Sequence, residues 1–261
     1  MEGDQVLRGQ PRRASLRPEC SESGLAHDDG DKLGSGHFPG ARSWLSLFPN
    51  GQRRRLVSEH LHGEVEAAVD SSRSTVAATA MVVGGIIAGA AFAPFTIAHG
   101  PTSYNLEHEV LGWDMHDWGF LMGTIPPLLV GAGLWSLRAL VACGRRAAFR
   151  ALTVMCVAMF LFAAINLAFR AMGPPLDLFL LAPAGVVAAL TTPRRGPIRV
   201  VLGLLAIAYC AALAMVMIPL ETSDGFGGFR IFGVIDYAGV GVLWAGFGAT
   251  LLVTERPRPP N

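Results

Sequence analysis

Six long apolar stretches, separated by short loops, constrain this 261-residue chain more than any other feature of its sequence. A helix needs about 20 mainly apolar residues to cross roughly 30 Å of hydrocarbon. None of the stretches has the period-two alternation of a barrel strand. The pattern predicts an all-α integral membrane protein, a bundle of six transmembrane helices. The predicted spans are Thr75–Ala98, Trp118–Ala142, Phe149–Phe169, Leu176–Thr192, Ile198–Leu220 and Ile231–Val253.

Arginine falls almost entirely on every second loop, and this distribution predicts the orientation of the spans. Positive charge marks the cytoplasmic side because Lys and Arg resist translocation. The basic loops and the C-terminal tail contain Arg138, Arg145, Arg146, Arg150, Arg194, Arg195, Arg199, Arg256 and Arg258. The other loops contain only Arg170 and Arg230. The short stretch Leu176–Thr192 is retained as a span, since otherwise Arg194 would lie on the wrong side. We therefore expect a multi-pass protein of the cell inner (plasma) membrane, N-in and C-in.

The composition is that of a membrane protein. Only 16% of the residues are charged and 51% are hydrophobic, whereas soluble proteins average about 25% charged residues. The lipid bilayer is therefore the first expected partner, and topology explains the basic loops without a nucleic-acid partner. The sequence contains no nucleophile elbow, phosphate loop or nucleotide-binding glycine fingerprint. These absences disfavour an enzyme without deciding the matter, and they predict no cofactor.

The chain outside the spans divides into three further segments. Residues 1–52 are rich in Gly, Pro, Ser and charge, which predicts a disordered cytoplasmic tail. Residues 53–74 begin with three arginines and continue with apolar residues at steps of four, which favours a short amphipathic helix on the inner membrane face. A continuation of the disordered tail, or a start codon upstream of the true one, is the alternative. Residues 75–254 form the transmembrane domain, and residues 255–261 form a short cytoplasmic tail.

Small residues recur at helical spacing in the first and last spans. The repeats are Gly85 with Gly89, Gly84 with Ala88, and Gly241 with Ala245 and Ala249. Small residues at this spacing allow helix backbones to approach closely within a membrane. The pattern predicts close packing inside one bundle, with homodimerisation through the same faces as the alternative. Prolines at 126, 127 and 183 predict kinks in the second and fourth helices.

Polar side chains inside the spans define the first candidate site. Asp236 lies five residues into the last span, where a carboxylate about 8 Å below the interface is costly unless it is paired or hydrated. Asn166 and Arg170 share one face of the third helix at i and i+4, and Arg170 is the simplest partner for Asp236. Tyr237 could add a hydroxyl group. The four residues predict an outward-facing polar pocket that serves as an ion or proton relay, or else a structural ion pair.

The longest loop, His99–Asp117, defines the second candidate site. It concentrates imidazole and carboxylate groups, which are ligands that Zn²⁺, Cu²⁺ or Mn²⁺ would take. The candidate ligands are His108, Glu109, Asp114 and His116. Their spacing matches no established metal motif. The alternative is an interfacial segment whose aromatic and aliphatic side chains touch lipid.

Three classes of function follow from these features. The leading one is a small transporter, or an accessory subunit of a larger membrane assembly, that uses the outward-facing pocket. The second is a metal-binding or metal-dependent membrane protein that uses the outer loop and a divalent metal. The third is a purely structural partner of other membrane subunits.

Overall fold

The computed structural model describes most of the transmembrane region. The described residues are 50–99, 109–170, 173–193, 196–217 and 231–254, with side chains from residue 71 onward in the first range. Within them there is no β-strand, and a single isolated bridge joins Val110 to Trp113. Almost all of the predicted N-terminal tail and the whole predicted C-terminal tail lie outside these residues.

The described residues form six helices. They are α1 (Asn50–His99), α2 (Met115–Ala142), α3 (Arg146–Phe169), α4 (Leu178–Thr191), α5 (Pro197–Met217) and α6 (Ile231–Thr254). Five of them are long and apolar enough to cross a membrane, with Ser71–His99 as the apolar part of α1. The predicted class, an all-α polytopic membrane protein, is therefore confirmed.

Helix α4 is shorter than the span predicted for it. Its 14 residues extend about 21 Å at 1.5 Å per residue, less than the roughly 30 Å of hydrocarbon. Pro174 and Pro175 precede it, and proline has no N–H and disfavours helix at the residue before it. Residues 173–175 are therefore not helical, and α4 begins only at Leu178.

Helix α1 is continuous from Asn50 to His99, a length of 50 residues. No helix boundary separates the juxtamembrane segment from the first span. Since 50 residues extend about 75 Å, the N-terminal part of α1 reaches well beyond its apolar part. The amphipathic face predicted for residues 53–74 rests mainly on side chains outside the described part of the chain.

Small residues bring α1 and α6 into backbone contact. A Cβ atom added at Gly241 would lie 2.7 Å from the carbonyl oxygen of Gly85, and one added at Gly85 would lie 2.6 Å from the backbone nitrogen of Ala245. A Cβ at Gly248 would lie 2.6 Å from the carbonyl oxygen of Ala78. The small-residue repeats are thus used for packing within one chain.

The outer surface of the bundle is apolar. Leu161, Ile207 and Val242, on three different helices, are each more than half exposed, at 54%, 67% and 66%. Large apolar side chains exposed on several helices would be unfavourable in water but match a surface in contact with lipid.

Candidate functional site

A cavity lies at the centre of the bundle, and each of the six described helices contributes to its lining. It offers about 70 Å³ to the centres of water molecules. One water needs roughly 10–15 Å³ of such space, so the cavity has room for a few waters or a small ligand. One lining residue from each helix, in chain order, is Ala88, Met122, Phe162, Leu181, Tyr209 and Tyr237.

Two aspartates that are distant in the sequence line this cavity. Asp236 lies on α6, and Asp177 lies immediately before α4. The two side chains are close enough to interact electrostatically. Among the residues that the structure describes, the lining contains no Lys, Arg or His. The cavity is therefore acidic, with two carboxyl groups and no basic partner in its described lining.

One carboxylate oxygen of Asp177 lacks a hydrogen-bond partner in the described part of the chain. Aspartate before a helix commonly accepts a hydrogen bond from an N–H of the first turn, but Asp177 has helical dihedral angles and makes no such bond. Within the described part of the chain, its Oδ1 atom is buried and has no hydrogen-bond partner.

Asn166 holds the loop that carries Asp177. It is fully buried on α3. Its Nδ2 donates to the carbonyl oxygen of Gly123 at 2.8 Å, and its Oδ1 accepts from the backbone N–H of Gly173 at 2.5 Å. The Gly123 carbonyl would normally bond the N–H four residues later, but that residue is Pro127, which has none. Asn166 thus satisfies the acceptor that Pro127 leaves open and anchors the loop leading to Asp177.

Asp236 and Tyr237 lie in a six-residue π-helix, Val234–Gly239. The N–H of Val240 bonds the carbonyl of Ile235, five residues earlier. Short π-helical turns are rare, and they occur frequently at functional sites. This wider turn places both side chains on the cavity lining.

Aromatic rings complete the lining, and their own contacts hold them in place. Trp244 Nε1 donates to the Tyr209 hydroxyl at 2.7 Å, and both residues are buried. The Tyr237 ring stacks on Phe92, with centroids 6.2 Å apart, and meets Phe232 edge-on at 6.1 Å.

The structure brings together only part of the predicted pocket. Asp236 and Tyr237 line the cavity, and Asn166 lies behind it and positions a loop. Arg170 does not line the cavity: it is exposed and ends α3 in a left-handed conformation, with φ of 49°. The ionisable side chain that interacts electrostatically with Asp236 is Asp177, the second residue of the predicted span Leu176–Thr192. The sequence feature that could have identified Asp177 is its position after two prolines, at the start of the shortest apolar stretch.

The segment before α2 forms a compact turn. Leu111 and Gly112 both have positive φ, 58° and 78°, as in a type I′ turn. Trp118 Nε1 donates to the carbonyl of Val110 at 3.2 Å, and the rings of Trp113 and Trp118 lie 5.0 Å apart. Leu111, at the tip, is 87% exposed.

The predicted metal ligands do not converge in this segment. Glu109 and His116 are exposed, and Asp114 forms a capping box with Asp117 at the start of α2. No three His, Cys, Asp or Glu side chains in the described ranges are close enough to hold a metal ion. His108 lies outside those ranges, so the metal site stays a prediction that depends on it.

Replacing Asp114 with alanine should lower the stability of the bundle through the helix cap alone. Loss of an N-cap acceptor costs about 1 kcal/mol, because the Asp117 N–H loses the acceptor it bonds at 2.9 Å. We expect the same fall in melting temperature with EDTA or with added Zn²⁺, whereas Glu109→Ala should have little effect. A loss of stability that occurs only when Zn²⁺ is present would instead support a metal site.

The fold and the cavity define a class: a polytopic all-α membrane protein with an acidic central cavity. Comparison with known protein families, with curated proteins and with solved structures finds no match for this chain. The function is therefore argued from the cavity.

Proposed function

We propose that this chain is a small membrane transporter, or the transport subunit of a larger assembly, whose cavity binds positive charge at Asp177 and Asp236. The observation that carries the proposal is a cavity lined from six helices with two carboxylates and, among the described residues, no basic side chain. Asp177 and Asp236 are half-buried, and a carboxylate without a basic partner is costly in a membrane interior. A proton or a cationic solute would relieve that cost, and its binding and release would constitute a transport cycle.

The backbone around Asp177 supports a cation rather than an anion. The first N–H groups of a helix commonly bind anions when they are free. In α4 these donors already have acceptors: the N–H groups of residues 178–181 bond to the carbonyls of Pro175, Leu176 and Asp177. The start of α4 therefore offers no free donors toward the cavity, and the carboxylates dominate its electrostatics.

The proposal includes a six-pass topology with both termini in the cytoplasm of the inner (plasma) membrane. The alternating arginines support it, and α4 packs against both α3 and α5. In this topology the residues 173–177 that precede the 14-residue α4 supply the rest of the crossing. Non-helical backbone is tolerated at membrane depth where it is buried in protein or lines a cavity. The segment 173–177 meets both conditions, because Asn166 bonds it at Gly173 and Asp177 lines the cavity.

Two interruptions of the regular α-helices are the proposed sites of a conformational change. Pro126 and Pro127 on α2 and the π-helix of α6 both line the cavity. Interrupted helices at midplane sites are characteristic of transporters, in which one part of the bundle moves against another around the site. We assign the hinges of the proposed cycle to these two points.

A charge-displacement measurement tests the proposal without a known substrate. Proteoliposomes adsorbed on a solid-supported membrane are exposed to a rapid change of pH, and the transient current is recorded. The wild-type protein should give a current above that of empty liposomes, because positive charge enters the cavity. Asp177→Asn and Asp236→Asn should each reduce it several-fold.

The matched control is Asp117→Asn, which removes an exposed carboxylate that does not line the cavity. It should give the wild-type current. If the wild-type current equals that of empty liposomes, or both cavity variants match the wild type, the transporter proposal is rejected. The remaining account would be a structural partner of other membrane subunits.

A further inference from the structure

We infer that the cavity binds a small organic ammonium ion rather than a metal ion. The inference rests on the proposed function, since it names the class of positive charge that the same two carboxylates would bind. The chemistry of the lining, the size of the cavity and the fixed aromatic rings support it independently.

The lining provides too few oxygen ligands for a metal ion. Cations such as Ca²⁺ take six to eight oxygen ligands, and transition metals prefer groups of imidazole, thiolate or carboxylate. The lining has carboxylates only at Asp177 and Asp236 and hydroxyls at Tyr209 and Tyr237. In the described part of the chain, no group of three potential metal-binding side chains occurs there.

The rest of the lining matches the surface of an organic cation. It consists mainly of carbon and sulfur, with Met122, Met159, Phe162 and Trp244 beside the two tyrosines. An ammonium group is attracted both to a carboxylate and to the face of an aromatic ring, most strongly when it is desolvated. The methyl or methylene groups of such an ion would contact the apolar side chains.

The volume limits the size of the ion. About 70 Å³ is open to water centres, and one water-sized atom needs roughly 10–15 Å³ of this space. A space of this size suits a compact cation such as tetramethylammonium or a short primary amine. A much larger cation would require the helices to separate.

The aromatic rings are fixed before any ligand binds. Phe92 and Phe232 hold the Tyr237 ring, and Trp244 is hydrogen-bonded to Tyr209 and packed edge-on against Phe247 at 5.7 Å. A preorganised site loses little side-chain entropy on binding. Fixed aromatic rings are typical of a site that binds one small ion and not of a gap left by imperfect packing.

The test replaces the change of pH with a change of cation on the same supported proteoliposomes, at constant pH and ionic strength. A jump to tetramethylammonium chloride should give a saturable transient current in the wild type, and a jump to sodium chloride should give little. Tyr237→Leu removes the ring and should raise the half-saturating concentration at least about tenfold. Tyr237→Phe, which keeps the ring, should change it less than about threefold.

The pH-jump current separates this inference from the proposed function. If sodium and tetramethylammonium act equally, or neither acts while the pH jump still gives a current, the ammonium inference is overturned and the transporter proposal stands. If Asp177→Asn and Asp236→Asn both leave all currents at the wild-type level, both proposals fail.

A size series on the wild type keeps the inference testable should Tyr237→Leu fail to fold. Methylammonium and tetramethylammonium should both give currents, and tetrabutylammonium should give none, because it exceeds the cavity. A tetrabutylammonium response equal to that of tetramethylammonium would show that the charge does not bind in this cavity.

Discussion

Replacing Gly85 with alanine is expected to destabilise the bundle strongly, because α1 and α6 touch through their backbones at this point. The new Cβ would press on the carbonyl of Gly241 and lie 2.6 Å from the backbone nitrogen of Ala245. Neither group can rotate away, so the helices must separate. Overpacking of this kind costs about 1–3 kcal/mol, and the separation would also open the cavity between the two helices.

The measurement is the melting temperature in mild detergent, together with the fraction of protein that elutes as a single species. Gly246→Ala, also on α6, is the control, because no described atom outside the adjoining backbone of α6 lies within 4 Å of its added Cβ. Alanine is the better helix former by about 1 kcal/mol, so the control should be neutral or slightly stabilising. Equal effects of the two substitutions would contradict the α1–α6 contact.

Replacing Asn166 with leucine is expected to have the second large effect, on both stability and charge binding. The Gly123 carbonyl and the Gly173 N–H would each lose a buried partner. An unsatisfied buried group costs about 1–3 kcal/mol, so the two losses together exceed the effect of most single substitutions. The loop would also lose its anchor, and Asp177 would no longer be held at the cavity.

Three readouts separate this positioning role from general destabilisation. Hydrogen exchange at Gly173 should become faster, and the pH-jump current should fall several-fold. Leu167→Ala, an exposed change on the same helix, should alter neither. Adding Pro127→Ala to Asn166→Leu restores an N–H for the Gly123 carbonyl, so it should recover part of the stability but not the slow exchange at Gly173. Recovery of both would mean that Asn166 does not anchor the loop.

Hydropathy was sufficient to predict the class of the fold, and the reason is physical. Crossing a membrane requires a long apolar helix, a requirement that acts on each segment separately. The five long helices therefore coincide with predicted spans. The shortness of α4 had a local signal as well, since Pro174 and Pro175 delay the start of the helix.

The site was only partly predictable, because the position of Asp177 depends on tertiary contacts. Asp236 stands out in the sequence as a charge inside an apolar span, and Tyr237 is its neighbour. The position of Asp177 depends on the bond between Asn166 and Gly173, which no local pattern carries. The pairing proposed for Arg170 assumed that α3 continues through it, but α3 ends at Phe169 and Arg170 turns into a left-handed conformation. The π-helix likewise has no established sequence signature.

A double-mutant cycle tests the central claim that Asp177 and Asp236 bind one positive charge together. The pH-jump current is recorded for the wild type, Asp177→Asn, Asp236→Asn and the double variant, with melting temperatures as a check on folding. Groups that act on one charge are strongly non-additive. We predict that the double variant loses no more current than the more severe single variant. Losses that combine independently, or a double variant with the wild-type current, would contradict a shared site.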